Sequence, residues 1–379
     1  MISKNFCIAP FLQLQTSTDK KSGPCPHTAN IWNSGGTLKQ QWQSLELQKL
    51  RTSFLANKKN PTCHRCWKEE ASGKKSLRLR LQEFRGSDNL PQKVFQKFVA
   101  KKKYINFPQI LTLIPGNECN LACVSCGGNF SSKWNSLVHL DNYAPFHRVE
   151  KNYNLTDERY EEIVNNSQYL TKIELFGGEP FLNKRNRTLL LDKIMYKGTS
   201  KKIKLYFNTN GTIFDQKYMQ RLTNNFRFVE VRQSIDGIGK EFEYIRYGAK
   251  FDQIMKNAEK FSKFHNTDFE IICTITLFNL VSLPKIDKMM KERGWSIFYN
   301  IAGGPGHVSI NNLPETVKEK ISLPQKFNDI QKYINQTPCD EQQWNRFVEY
   351  TRILDKNRGL CFKTTFPDLY ELVKKHGFE

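Results

Sequence analysis

The sequence predicts an α/β fold, a partial (β/α)6 barrel, and three observations predict it. Apolar, strand-like runs recur near residues 109, 172, 203, 228, 269 and 296, and stretches of helical period fill the intervals between them. Strands separated by helices imply parallel pairing with right-handed crossovers, and six such repeats make an open barrel with a gap for a bulky substrate. The length, 379 residues, suits one large domain with a small one attached. On this reading residues 1–90 form a small N-terminal module carrying Cys7, Cys25, Cys63 and Cys66, residues 107–306 form the barrel, and residues 307–379 form a mostly helical C-terminal extension.

The elements can be justified in order. Four thiolates in the N-terminal module can fill all four irons of a cluster, which closes it to substrate and leaves electron transfer or support as its role. Two separated sulfur pairs also suit tetrahedral zinc, and His27 and His64 lie near enough in sequence to substitute as ligands, although each reads first as an ordinary polar residue. The module is too short and polar to build a large core, so metal binding and folding should be coupled there. The first barrel strand is the run Ile110-Leu111-Thr112-Leu113-Ile114, followed by Pro-Gly-Asn turn chemistry and then by Cys119, Cys123 and Cys126. Three thiolates at this spacing can hold three irons of a [4Fe-4S] cluster and leave the fourth open to a reactant. Three incidental cysteines, or part of a zinc site, is the plainer alternative.

Later strands end in short polar tips. The second runs into Gly177-Gly178-Glu179-Pro180, the third into Asn208-Thr209-Asn210-Gly211, and the fourth into Ser234-Ile235-Asp236-Gly237. The glycines leave room for a close backbone approach, and a carboxylate such as Glu179 can accept from an ammonium group. Between the first two strands, Thr156 reads as an N-cap with Asp157 and Glu158 in the first turn of a helix. Arg246 suits bidentate pairing with a carboxylate or, as readily, a surface ion pair. Gly303-Gly304-Pro305-Gly306-His307 after the sixth strand reads as a tight turn or as a site of close substrate approach. Cys273 lies in an apolar run and reads as core packing, and Cys339 and Cys361 read as free thiols, with a catalytic thiol or extra ligand as the other option.

Together the cysteine loop and the three strand tips resemble the radical S-adenosylmethionine (SAM) family, whose signature is C-x3-C-x2-C after a first barrel strand, followed by G-G-E-P, T-N-G and S-I-D-G endings. The resemblance implies a TIM-type partial barrel, a [4Fe-4S] cluster held by Cys119, Cys123 and Cys126, and SAM on its open iron. It implies roles in SAM binding for Gly177, Gly178, Glu179, Pro180, Asn208, Thr209, Asn210, Ser234, Asp236 and Arg246. It further implies reductive cleavage to a 5'-deoxyadenosyl radical that abstracts hydrogen from substrate. One position departs from the pattern: the residue before the third cysteine, often aromatic in this family, is Ser125, so adenine must be packed by another group.

The N-terminal module resembles the auxiliary-cluster module called SPASM or, in its short form, twitch, on Phe6-Cys7-Ile8-Ala9-Pro10-Phe11, Gly23-Pro24-Cys25, Gln41-Trp42, Arg51 and Pro61-Thr62-Cys63-His64-Arg65-Cys66. Here it precedes the barrel, as in a subgroup of twitch-domain radical SAM proteins. That subgroup is also echoed in Glu69-Glu70 through Ser76-Leu77-Arg78, in Glu243-Tyr244-Ile245-Arg246-Tyr247, and in Leu354-Asp355-Lys356-Asn357-Arg358. This second resemblance implies an auxiliary [4Fe-4S] cluster on Cys7, Cys25, Cys63 and Cys66, a peptide or protein side chain as substrate, and a flavodoxin- or ferredoxin-type reductant. The alternatives are radical SAM modification of a nucleotide, RNA or sugar, and an iron-sulfur protein that carries electrons without catalysis.

Composition limits other classes. Ten cysteines in a chain of this length do not read as the disulfide framework of a small secreted domain. No apolar run reaches the roughly 18 residues of a membrane span, the start lacks a signal-peptide core, and thiolate-bound clusters favour a reducing cytoplasm. A formal charge of +21, from 58 Lys and Arg against 37 Asp and Glu, with runs at Lys74-Lys75, Lys101-Lys102-Lys103 and Lys201-Lys202, is a weak argument for a polyanion or acidic peptide. Solvated lysine faces are the usual outcome, and no helix-turn-helix, zinc-finger or RNP pattern accompanies them.

Overall fold

The computed structural model describes residues 3–16, 21–28, 32–33, 36–71, 75–84, 93–96, 106–138, 143–147 and 151–379. Its strands are β1 (Gln13–Thr16), β2 (Lys21–Gly23), β3 (Trp32–Asn33), β4 (Ile110–Leu113), β5 (Ala122–Cys123), β6 (Lys172–Leu175), β7 (Lys204–Thr209), β8 (Phe228–Ser234), β9 (Arg246–Tyr247), β10 (Thr267–Ile275) and β11 (Ser296–Ile301). The six runs singled out in the sequence become β4, β6, β7, β8, β10 and β11. They lie side by side in chain order and pair in parallel, as a partial (β/α)6 barrel requires.

The two faces of this sheet differ because side chains alternate along a strand. Ile173, Leu175, Leu205, Phe207, Val229 and Val231 join Ile163, Leu190, Ile194, Met219 and Leu222 of the covering segments in one buried core. The opposite face is charged and internally paired: Lys172 lies 3.2 Å from Glu174 and 2.6 Å from Glu230, and Thr112 donates to Glu174 at 2.6 Å. Arg232 pairs there with Asp268 at 2.6 Å and Glu270 at 3.0 Å. Thr156 caps the helix Asp157–Asn165 by accepting from the Arg159 N–H, with Asp157 and Glu158 in its first turn. Such a cap contributes about 1 kcal/mol.

The N-terminal segment does not stand apart from the barrel. β1 adds in parallel to the free edge of β4, with Leu14 opposite Leu111; β2 pairs antiparallel with β1 and β3 antiparallel with β2. The helix Leu45–Leu55 carries Arg51, fully buried, whose guanidinium donates to the carbonyls of Pro10 and Trp42 and lies 4.1 Å from the Trp42 ring centroid. At the other end, the helix Glu341–Arg358 starts on an Asp340 cap and stops at Gly359 in the left-handed conformation. Its Trp344, Phe347, Val348, Tyr350 and Leu354 form a second core with Phe278, Phe362 and Phe366, which closes the late strands.

Cys273 is fully buried in this second core, as core packing requires. Cys339 donates its thiol to the Asn312 carbonyl at 3.0 Å, and Cys361 is exposed. Lys201 and Lys202 are exposed in a turn before β7, whereas Lys74 and Lys101-Lys102-Lys103 lie outside the described residues. No helix among the described residues is long and apolar enough to cross a membrane.

Candidate active site and metal centres

Cys119, Cys123 and Cys126 sit on the loop that leaves the C-terminal end of β4, and the rest of the chain holds that loop from outside. Ser132 accepts from the Cys119 N–H and donates back to its carbonyl, both at 3.1 Å. Ser131 donates to the Leu121 carbonyl at 2.6 Å, the Trp134 indole donates to the Cys123 carbonyl at 2.9 Å, and Arg358 donates to the Ala122 carbonyl at 3.1 Å. A buried loop needs partners for its backbone groups, and these side chains provide them.

The three thiols share one environment. Burial raises the pKa of each, pushing Cys126 up to about 11, and Cys123 and Cys126 are each raised further by the other nearby thiolates. Three largely desolvated sulfurs on one loop call for a cation, and soft thiolate donors suit an iron-sulfur cluster. The permanent positive charge beside them is Arg246. It is drawn in by a two-stranded ladder in which β9 pairs with β5 and Arg246 stands opposite Cys123. Its guanidinium donates to the Cys123 sulfur at 3.8 Å and pairs with the fully buried Asp236 at 2.7 Å. The ion pair that the sequence suggested for Arg246 is therefore an internal one, with Asp236 also accepting from the Thr274 N–H at 2.7 Å.

The Gly177-Gly178-Glu179-Pro180 tip is a clamp on the cysteine loop. Gly177 and Gly178 have φ of +75° and +53°, and a Cβ on Gly178 would stand 2.4 Å from the Glu118 carbonyl oxygen. The close backbone approach foreseen for these glycines is thus to the chain's own loop, and the Glu179 N–H completes it by donating to Glu118 at 2.8 Å. Inside the tip, the Glu179 carboxylate accepts from the Asn210 N–H at 2.7 Å, the Thr209 hydroxyl at 2.9 Å and the Phe181 N–H at 3.2 Å. Burial outweighs these bonds and raises its pKa to about 7. Asn210 then donates to Asn120 at 3.0 Å and to the Cys119 sulfur at 3.8 Å.

Glu179, Thr209 and Asn210 are therefore brought together against the first cysteine. Asn208 and Ser234 stand half-buried at or near the ends of β7 and β8, and Asn208 Oδ1 is buried with no hydrogen-bond partner among the described residues. A buried orphan acceptor two residues before Asn210, which does reach the first thiol, fits a site for a polar cofactor. Sequence reasoning missed Ser131, Ser132 and Trp134. It quoted Asp355 and Arg358 without a role, and their contacts explain them: Asp355 accepts from Tyr244 at 2.8 Å, while the Arg358 guanidinium lies 5.0 Å from the Trp134 ring centroid and 4.3 Å from that of Tyr247.

The second cysteine set also converges. Cys7, Cys25, Cys63 and Cys66 line one small cavity together with His27, Thr28, Leu77, Arg78 and Leu81. Burial raises all four thiols, Cys63 to about 12, and neighbouring thiolates raise Cys7, Cys25 and Cys63 further. Four soft donors around one space fit a closed cluster or a tetrahedral metal. His27 Nδ1 lies 3.5 Å from the Cys66 sulfur, and His27, Cys66 and Glu69 have donor atoms within 4.8 Å of one another. His64 does not line the cavity.

Residues 113–292 match the family model described as the Radical SAM superfamily. No curated protein matches the chain. Among solved structures, native anSMEcpe with bound AdoMet is 21% identical over 66% of this chain and 62% of its own, with a TM-score of 0.41. Streptococcus suis SuiB bound to S-adenosylmethionine is 14% identical over 76% of this chain and 64% of its own, at 0.41. SuiB bound to the precursor peptide SuiA is 15% identical over 84% and 68%, at 0.39. The chain spans less than two thirds of the anSMEcpe chain.

Proposed function

From the radical SAM domain that residues 113–292 carry, we propose that this chain is a radical SAM enzyme with a second metal centre in its N-terminal segment, acting on a peptide or protein side chain. The observation that carries the reading is the convergence of Cys119, Cys123 and Cys126 at the C-terminal end of a parallel sheet, under a glycine tip that presses on their loop. When bound, a [4Fe-4S] cluster and SAM supply reductive cleavage to a 5'-deoxyadenosyl radical, chemistry that belongs to the cofactors.

The chain's own residues orient and insulate. Glu179 ties the second and third strand tips together, Asn210 reaches the first thiol, and Arg246 offsets thiolate charge in a setting with little water. Asn208 and Ser234 remain available at the strand ends to hydrogen-bond SAM. Gly303 and Gly304 follow β11, and a Cβ on either would meet nothing within 4 Å, so the reading there is an open approach for substrate. Cys7, Cys25, Cys63 and Cys66 would hold an auxiliary [4Fe-4S] cluster, which would supply an electron-transfer centre beside the barrel, and a flavodoxin- or ferredoxin-type protein would serve as the enzyme's reductant in a cytoplasmic setting.

A zinc site in the N-terminal segment is a second reading, favoured by the proximity of His27, Cys66 and Glu69. Iron and acid-labile sulfide after anaerobic reconstitution, compared with a Cys119→Ala, Cys123→Ala, Cys126→Ala chain, separates the two. About eight irons falling to about four fits two [4Fe-4S] clusters. About four falling to none leaves the N-terminal set without iron, and absence of 5'-deoxyadenosine from SAM under reduction would sink the enzymatic reading.

A further inference from the structure

Leu77 and Arg78 are unused by the chemistry above, yet both line the N-terminal cavity. Arg78 lines that cavity with the four cysteines. Its side chain is 6% exposed and forks onto Glu70, with Nε 2.9 Å from Oε1 and Nη2 2.6 Å from Oε2. The third arm, Nη1, donates to the carbonyls of Phe6 at 2.7 Å and Lys4 at 3.1 Å, and Phe6 immediately precedes Cys7. Glu70 stands one helical turn after Cys66 on the helix His64–Ala71 and also accepts from Ser76 at 2.5 Å. The guanidinium lies 4.9 Å from the Trp67 ring centroid. One buried fork thus joins the segments that carry Cys7 and Cys66.

We propose that Arg78 is the positioning residue that sets the reduction potential of the N-terminal cluster, with Glu70 as its opposing charge. The inference rests on the reading that Cys7, Cys25, Cys63 and Cys66 hold an iron-sulfur cluster. Reduction adds one negative charge inside a shell of four thiolates, and hydrogen bonds, net charge and exposure around the sulfurs decide how readily that charge is accepted. Arginine stays protonated under all working conditions, so Arg78 favours the reduced form, and Glu70 partly cancels it. Of the other charged groups near this cavity, Glu69 has a carboxylate oxygen within 4.8 Å of the Cys66 sulfur and opposes Arg78 as Glu70 does, whereas Arg65 and Arg80 act on His27 and Lys59 on Glu70.

The test uses the full chain with Cys119, Cys123 and Cys126 replaced by alanine, so that any reconstituted iron belongs to the N-terminal set. Midpoint potentials are read by redox titration followed by electron paramagnetic resonance, with iron content measured in parallel. Arg78→Gln should lower the midpoint, Arg78→Lys should shift it less, and Glu70→Gln should raise it. A purely structural role would move Arg78→Gln and Glu70→Gln the same way, so shifts of one sign, or no shift in either, overturn the proposal. If Arg78→Gln fails to retain iron, the sign of the Glu70→Gln shift decides alone. A parent chain without iron removes the cluster reading itself, and the inference with it.

Discussion

Gly178 shows how one residue can carry two duties. Its left-handed φ and the 2.4 Å approach of the Glu118 oxygen to a would-be Cβ both exclude a side chain. Gly178→Ala should therefore displace the cysteine loop, at a cost of about 2 kcal/mol or more. The check is a lower melting temperature together with loss of whatever iron reconstitution places on Cys119, Cys123 and Cys126, the ligands proposed for the barrel site. The glycine pair was visible in the sequence, but its partner was not, because contact with Glu118 depends on how β4 and β6 are paired. Glu179 follows the same rule: its chemistry was readable, whereas the Asn210 and Thr209 donors that occupy it come from the next strand.

Two buried histidines carry a pH dependence. Burial holds His147 at about 3 and His307 at about 4, with His147 3% and His307 2% exposed. His147 is stacked on Trp134 with centroids 3.7 Å apart, and its Nε2 lies 2.9 Å from the Tyr350 hydroxyl. Their folded pKa values lie below the ordinary histidine value of about 6.5, so the unfolded chain takes up protons that the folded chain does not. The stability they contribute is present above pH about 6.5 and is lost as pH falls toward their folded values, at up to about 1.4 kcal/mol per pH unit for each. Thermal unfolding between pH 7 and pH 5 should show a smaller loss in His147→Asn and His307→Asn chains than in the native one.

At the scale of elements, the helix Glu341–Arg358 acts on a loop more than two hundred residues earlier. Arg358 donates to Ala122 and lies against Trp134 and Tyr247, and Asp355 anchors Tyr244 and the Phe362 N–H. Arg358→Leu should cost about 1–3 kcal/mol, the range for a buried hydrogen bond to a charged group. On the proposed function, its signature is less iron and less 5'-deoxyadenosine from the barrel site, with any iron reconstituted on Cys7, Cys25, Cys63 and Cys66 unchanged. Equal loss at both sites would contradict the assignment. The helix itself was legible from its period, and the six barrel strands from their apolar runs. The ladder of β5 and β9 was not, since two-residue strands leave no periodic signal.

Among the described residues the strands form one nine-stranded sheet and the short β5–β9 ladder, with two cysteine clusters served by different ends of the chain. β1 pairs along the full length of β4, and Phe6, Phe11, Leu14 and Trp42 share a core with Leu111 and Leu113. A chain cut to residues 106–379 would expose the β4 edge and that core face, and such an edge templates aggregation. It should be recovered insoluble, or with a melting temperature well below that of the full chain. A soluble, equally stable fragment would show the N-terminal segment to be an independent unit.

Local pattern was enough to mark the strands and the candidate ligands: cysteine spacing, glycine tips and strand periodicity are properties of neighbouring residues, and they survive without coordinates. Tertiary structure decided the partners. Arg246 meets Asp236 and Cys123, Arg78 meets Glu70 and the Cys7 segment, and Arg358 meets the cysteine loop only because distant elements pack together. A buried charge must find its counter-charge wherever the fold brings one, and no spacing rule along a chain encodes that meeting.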